Sequence, residues 1–597
     1  MRQIPWRVAG QEVVVNVAEG EEDILAFREF VTTAGPLAFD TETTGLDIYA
    51  SDCRVRLAQF GTGRTAWVLP VESGPQWADL AAWALRTAER LYCHNATFDL
   101  LVADAHLRVP LEVTYLKTVD VRIMAHLTDP RSAHEGGTGH SLEALTRAHL
   151  DAEVADQVKG AMRELARELK TTKGEIFRIV PLDHPRYLLY AGMDVLLTSR
   201  LFEHMLYSVP HASRRLVVFE HQVAYVCAIM ERKGFLVDIP YTLQLADRLE
   251  RQAKQHADTA AALGVDNVNS TDQVAQALTR RGAALTETTA TGKPKVDKAI
   301  LDRLVADGDE LAIAVQRAKR ASKWKTTYAD TFLELADPGH RIHCGINSLA
   351  ARTARMSITR PALQTLPSGE HMIRSCYLAE EGEVIISVDY QAIELRVLAA
   401  LAGERKMIEA IRAGKDLHGL TASLVFGPDY SDTQRKAAKI LGFGKVYGGG
   451  PATLARQTGL SVADARRVVA AYDEGYPAIA RYTKQLQADL PRQGFAVVTG
   501  NGRRLPVDRA KPYAALNFMI QSTARDMLAA GLLEIHKQGL LDYLRLPVHD
   551  EVIASAPAED AKEVAHALAD AMAGQINGVP LATEAEIGGR SWGSLYT

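Results

Sequence analysis

At 597 residues, with 47% hydrophobic and 24% charged residues, the chain has the composition of an ordinary globular protein and length for about four domains. No run of about 18 uncharged apolar residues exists, and the opening MRQIPWRVAG has no apolar signal core, which excludes a spanning helix or leader and predicts a cytoplasmic protein without membrane partners. A net charge of −5 gives no whole-chain argument for nucleic acid, and five scattered cysteines (Cys53, Cys93, Cys227, Cys344, Cys376) exclude a disulfide framework or a zinc spacing.

In chain order, the first part to about residue 205 mixes short strands and helices. GPLAFDTETTGL reads as a strand from Leu37 that turns by Leu46. Residues 206–341 are mostly helical, with the alanine-rich LQLADRLERQAKQHADTAAAL, and are interrupted by the polar loop TETTATGKPKVD at 286–297. Within this block, Lys319, Arg320, Lys323 and Lys325 alternate with Trp324 and Tyr328, either a phosphate footprint or a solvated helix face. From Ile342 the pattern is mixed again. EVIISVDY is a β-branched strand ending at an acid, a helical block follows to about Gly494, and strands return at FAVVTG and LRLPVHDEVIASAP. This order implies a sheet domain interrupted by helices.

Two groups of acids carry chemistry. In the first, Asp40 and Glu42 are two apart on a strand and share a face. Asp99 follows the apolar RLYCHNATF, and Tyr190 and Asp194 are four apart on one helix face. Each acid alone reads as a cap or a surface group. Together they could hold a pair of divalent ions that activate water against a phosphodiester, with Tyr190 orienting that water. In the second group, Asp389 ends one apolar strand and Asp550 lies in VHDE, between the apolar runs Leu546–Val548 and Val552–Ala554. Ionised acids in such surroundings are costly without a cation, and Mg²⁺ suits carboxylates plus phosphate oxygens. A polar hairpin turn is the plainer alternative for HDE. In QRKAAKILGFGKVYGGG, Arg435, Lys439, Phe443 and Tyr447 recur every four residues, a drifting helical stripe of two cations and two aromatics. It suits a nucleoside triphosphate, cations on phosphate and rings on the base.

The D-x-E, N-x-x-F-D and Y-x-x-x-D motifs (DTETTGL, HNATFD, YAGMD) resemble the DEDD exonuclease superfamily, tyrosine subclass. Continuing through TARMS, LQTLP, DYQAIELR, DLHGLTA, RKAAKILGFGKVYG, NFMIQSTARD and VHDE, the chain from about residue 35 resembles a family A DNA polymerase of the bacterial DNA polymerase I type, in a compact form similar to replicative polymerases of actinobacterial bacteriophages. The resemblance implies an α/β multidomain fold, an RNase H-like 3′-5′ exonuclease domain (1–205) followed by a right-hand polymerase: thumb 206–341, palm 342–404, fingers 405–498 and a second palm segment 499–597. It implies Asp389 and Asp550, with Glu551 beside them, as holders of two Mg²⁺ (Mn²⁺ may substitute), and Asp40, Glu42, Asp99 and Asp194 as holders of two more. Arg435 and Lys439 would bind the triphosphate, with Lys439 the general acid. Phe443 and Tyr447 would wall the base pair, and His418 and His549 would touch the nucleotide or primer end. Arg355, Gln364, Asn517 and Gln521 would line the minor groove, testing shape through its acceptors. Lys319, Arg320 and Lys323 would grip the duplex from the thumb. Glu394 would occupy the space of a ribose 2′-OH and so select deoxynucleotides, and Phe443 in place of Tyr would disfavour dideoxynucleotides.

Against the family pattern, Gln391-Ala392 replaces Ser-Gln, Gly442 replaces Asn, Pro547 replaces Gln and Tyr513 replaces Arg. These departures bear on fidelity and template grip, and a 5′ nuclease domain is not expected. Primer–template DNA and dNTPs are the expected partners of a monomer in a bacterial cytoplasm, with host or phage replication proteins besides. The alternatives are an exonuclease whose polymerase half only binds DNA, a single-subunit RNA polymerase, and a non-catalytic scaffold.

Overall fold

Strand-forming residues build the first sheet of this computed structural model, which describes residues 1–285, 287–288, 292–367 and 371–596. Its strands are β1 (Arg2–Val8), β2 (Gln11–Val17), β3 (Leu37–Thr43), β4 (Val55–Gly61), β5 (Thr65–Leu69), β6 (Leu91–Cys93) and β7 (Thr118–Asp120). They lie in the order β1-β2-β5-β4-β3-β6-β7, antiparallel through β5-β4-β3 and parallel from β3 to β7. β3 and β4 are almost wholly buried, as expected of central strands covered on both faces. The hairpin β1–β2 adds to this sheet through the parallel pairing of β2 with β5, so the sheet extends well ahead of the residue 35 from which the sequence motifs run. The long helix Pro185–Ser208 packs across β2 to β6.

Between Arg214 and Leu335 the described residues form the helices Arg214–Lys233, Ile239–Ala262, Thr271–Arg280, Lys298–Ala306 and Glu310–Trp324, continued to Leu335, with β8 (Phe235–Val237) between the first two, as the alanine-rich pattern predicts. The polar loop at 286–297 lies partly outside the described residues, at 286 and 289–291. The helices between Ala260 and Val315 keep an apolar core of their own, whereas a continuous core runs from the first sheet into the second half of the chain. β8 pairs with β9 (Arg341–Ile342), and two more strands follow as the antiparallel pair β10 (Gly345–Asn347) and β11 (Ser357–Thr359). β12 (Tyr377–Leu378) completes the β8 sheet, so the helical block is stitched through β8 to two strands that follow it in the chain.

The second functional sheet is built around β13 (Glu383–Tyr390). Helices fill residues 393–489, and the hairpin β14 (Ala496–Val498) and β15 (Arg504–Pro506) follows. After the helix Ala514–Lys537 come β16 (Leu544–Val548) and β17 (Glu551–Pro557), then the small hairpin β18 (Gly574–Ile576) and β19 (Val579–Leu581), and finally β20 (Thr583–Ile587). The order β16-β17-β13-β20 is antiparallel throughout.

One buried charge cluster ties the halves together. Arg525 donates to both oxygens of Glu220 (2.5 and 2.7 Å), Arg503 donates to Asp526 (2.7 Å) and also to Glu220, and all four side chains are 0–2% exposed. Glu220 lies on the helix Arg214–Lys233, Arg503 just before β15 and the other two on the helix Ala514–Lys537. Removing one partner from such a cluster leaves a buried charge uncompensated, at a cost of about 3–5 kcal/mol.

Candidate active sites

In the first sheet, the period-two geometry of β3 places Asp40 and Glu42 on one face, and the helix Pro185–Ser208 brings Asp194 against them. Ligand oxygens of Asp40, Glu42 and Asp194 lie within 4.8 Å of one another. Asp99, on the helix Ala96–Leu107, stands beside this trio. Its carboxylate accepts from the Thr41 backbone N–H (2.9 Å) and Oγ1 (2.7 Å), between the two acids of β3. Burial, aided by the charges of Asp120 and Asp194, raises the Asp99 carboxyl above the usual range against those two hydrogen bonds. Asp120 in turn caps this helix, accepting from Asn95 and Ala96 N–H at 2.9 Å each. Burial, then the charges of Asp194, Glu42 and Asp40, keeps the Tyr190 hydroxyl protonated well past its ordinary range. All five residues line a cleft of about 1100 Å³, together with Leu46, Phe98, Phe177, Arg122, Lys173, Arg178 and Arg360. An all-oxygen donor set of this spacing fits a hard divalent cation.

In the second sheet, alternation along β13 buries Val388 and Tyr390 and leaves Asp389 exposed. The buried Tyr390 hydroxyl donates to Met572 O at 2.6 Å and fixes the strand end. Asp389 faces Glu551 across the β13–β17 ladder and Glu584 across β13–β20. Asp550 and His549 form the two-residue turn between β16 and β17, with His549 at φ +60°. Although the strand end is open to solvent, burial of the carboxyl itself, then the charges of Asp550 and Glu551, push Asp389 up to about 8. Burial also raises Asp550 and Glu551, the latter relieved by a hydrogen bond from Ser387. Several acids held so close, each with its charged form disfavoured, are the arrangement that a divalent cation would stabilise.

A cleft of about 340 Å³ gathers Asp550 and His549 with Arg355, Gln364, Glu394, Phe443, Tyr447 and Gln521. Glu394, in the first turn of the helix Ile393–Ala402, is buried and ion-paired with Arg355. His549 Nε2 is 3.2 Å from the backbone carbonyl of Gln364, and Thr353 donates to the Gln521 side chain at 3.2 Å. The aromatic half of the stripe therefore faces the acids. Lys439 does not line this cleft; it lines an adjoining groove of about 680 Å³ with Phe443, Tyr447 and Tyr513. Arg435 is paired with Asp416 (2.7 Å), which also caps the helix Leu417–Phe426 at His418 and Gly419. The His418 ring lies 5.8 Å from Phe443.

Asn517 is buried one turn before Gln521 on their shared helix and lines neither cavity. Lys319, Arg320 and Lys323 sit on the helix Glu310–Trp324, away from both acid clefts, with Arg320 5.1 Å over Trp324. At Gly448, where φ is +72°, an added Cβ would come within 2.6 Å of the Tyr513 ring, so the glycine run that ends the stripe also seats that tyrosine. Several contributors lie outside every motif: Asp120, Ser387 and, in the buried charge cluster, Glu220 and Arg503. Glu584 is the exception, since the alternation in ATEAEI marks it as one face of a strand.

A family model described as DNA polymerase family A matches residues 240–594, and one described as 3′-5′ exonuclease matches residues 15–209. The DNA polymerases of Mycobacterium phages D29 and L5 are each 44% identical to this chain, over 100% of it and 99% of their own lengths. DNA polymerase I of Pseudomonas aeruginosa is 28% identical over 97% of this chain and 66% of its own. Among solved structures, the POL domain of Pol1 from M. smegmatis, in complex with DNA primer-template and dNTP, has a TM-score of 0.74 at 21% identity, covering 98% of this chain and 100% of that one, a likeness of fold.

Proposed function

The chain belongs to DNA polymerase family A and is a DNA-directed DNA polymerase with a 3′-5′ exonuclease domain; from that premise we propose which residues perform each reaction. The observation that carries the assignment is two separate groups of carboxylates: Asp40, Glu42 and Asp194 from β3 and the helix Pro185–Ser208, and Asp389, Glu551 and Asp550 from β13 and the β16–β17 hairpin. In this reading 1–205 is the exonuclease, 206–341 the thumb, 342–404 and 499–597 the palm, and 405–498 the fingers.

Asp389 and Asp550, with Glu551 beside them, would hold divalent ions at the edge of the polymerase cleft, which Asp550 lines. Asp40, Glu42, Asp194 and Asp99 hold them at the exonuclease cleft. When bound, such ions, Mg²⁺ in this reading with Mn²⁺ as a substitute, would supply Lewis-acid activation of the attacking oxygen and neutralise charge on the leaving oxygen. The primer 3′-OH attacks the α-phosphate of a dNTP. Lys439 and Arg435 take the triphosphate, Arg435 exchanging Asp416 for phosphate, and Lys439 protonates the departing pyrophosphate. Phe443 and Tyr447 cover the new base pair and exclude water. Glu394, pinned by Arg355, blocks the 2′ position of a ribonucleotide. Gln364, Gln521, Arg355 and Asn517 follow the minor groove, and His418 and His549 contact the nucleotide or primer end. Lys319, Arg320 and Lys323 hold the duplex. At the other cleft Tyr190 orients the water that attacks the terminal phosphodiester of a frayed primer. The substrates are primer–template DNA and dNTPs, and the setting is replication of a bacteriophage genome in its host's cytoplasm, by a monomer working with other replication proteins.

The test is a labelled primer–template with Mg²⁺, with and without the four dNTPs. Lengthening with dNTPs and shortening without them is expected. Shortening in both lanes would favour an exonuclease whose polymerase half only binds DNA.

A further inference from the structure

We propose that Arg360, supplied by the polymerase region, is a phosphate-binding residue of the exonuclease cleft and contacts the backbone of the single-stranded DNA end. The inference rests on the exonuclease reading above. Arg360 follows β11 and lies within the family A match, yet it lines the cleft that holds Asp40, Glu42 and Asp194, and also the adjoining groove of about 300 Å³. Its guanidinium crosses between the two regions: Nη1 donates to the carbonyl of Leu46, four residues beyond Glu42, and Nη2 lies 3.9 Å from Asp47.

The charge balance of the cleft calls for such a residue. A strand entering it meets Asp40, Glu42, Asp99 and Asp194, so its phosphates need cations nearby. Of the arginines that line the cleft, Arg178 is committed to Asp52 at 2.6 Å, and Arg122 donates to the side-chain oxygens of Asn95 and Asn347 at 3.3 Å each. Arg360 has five N–H donors; one is used on a carbonyl, and the Asp47 contact is a long pair between half-exposed groups, of the kind that is weak in water. The side chain is 40% exposed, positioned by the Leu46 carbonyl, and holds donors for a phosphate. Four residues on, Gln364 lines the polymerase cleft and accepts from His549. One short segment therefore touches both clefts.

The test uses the full-length protein on a 5′-labelled single-stranded oligonucleotide with Mg²⁺ and no dNTP, comparing wild type, R360A and R360K over a range of salt. For R360A, KM rises about tenfold, as for loss of a hydrogen bond to a charged group, while kcat stays within about twofold. The slope of log(kcat/KM) against log salt becomes shallower by about 0.7, the share of one phosphate contact on a single strand. R360K restores the slope and part of the KM. An unchanged KM and slope overturns the proposal. So does a fall in kcat with a lowered melting temperature and an unchanged slope, which marks Arg360 as a clamp on Leu46 alone. Failure of the wild type to shorten the strand rejects the exonuclease reading itself, and the proposal with it.

Discussion

The two acid clefts are assembled differently. In the first, one strand and one long helix of a single folded unit bring three carboxylates within 4.8 Å. In the second, Asp389 stands at an exposed strand end, Asp550 in a turn, and the cations proposed to take phosphate lie elsewhere: Arg435 on Asp416, Lys439 in a neighbouring groove. The difference follows from the substrates. Hydrolysis takes only water and a strand end as substrates, so its carboxylates can be set in place in advance. Synthesis must admit a triphosphate and a template base together, and in the proposed assignment its site is split between a sheet and a helical arm that brings phosphate and base contacts from outside.

The largest effect that bears on this contrast is a double dissociation. D389A or D550A should lower extension by about a thousandfold or more while primer shortening persists, and D40A with E42A should do the reverse, both read on one gel. If either pair disabled both activities, the clefts would not be separate. K439A should lower dNTP incorporation by about a hundredfold in single-turnover kinetics and leave shortening intact; little change would remove the helical arm from the synthesis site. Y190F should slow shortening by about tenfold with unchanged extension, measured on a mismatched primer, because the acid trio remains and only the water loses its guide.

The smallest effect concerns the seam. Glu231 lines, with Arg360, the groove adjoining the first cleft, and burial pushes its carboxyl up to about 7 from an ordinary 4.5, against a hydrogen bond from Ile346 N–H and the charge of Arg360. The folded chain then holds this proton more tightly than the unfolded one, so the stability tied to it is full below about pH 4.5 and is lost as pH rises to about 7. Thermal melts of E231Q should therefore fall less steeply over that window than wild type, by roughly 1–2 °C. Parallel curves would mean that Glu231 ionises as it would in water.

Asp389 and Asp550 were legible because acids beside apolar runs conflict with burial, and Asp40 and Glu42 because a two-residue spacing puts both on one face of a strand. The stripe was legible because four-residue spacing on a helix leaves little freedom. What stayed hidden is non-local pairing. Nothing near Gln11–Val17 announces that it will lie beside Thr65–Leu69, nothing in Arg435 announces Asp416, and Arg360 meets Leu46 across 314 positions. Asp99 shows the limit within a motif: its spacing placed it correctly in the cleft, but only the fold reveals that Thr41 holds its carboxylate to one side of the trio.

The buried cluster around Glu220 sets an order on the birth of the molecule. The first sheet closes entirely within residues 2–120, so it can form while the rest of the chain is still being made. Glu220 must wait for Arg503, 283 positions later, a delay of roughly 15–60 s at ordinary ribosome speeds. During that interval the helix carrying Glu220 has an acid prepared for burial and no arginine to meet it. The nascent chain therefore passes through a stage in which the first sheet is complete and the Glu220 cluster that joins it to the polymerase still lacks its arginines.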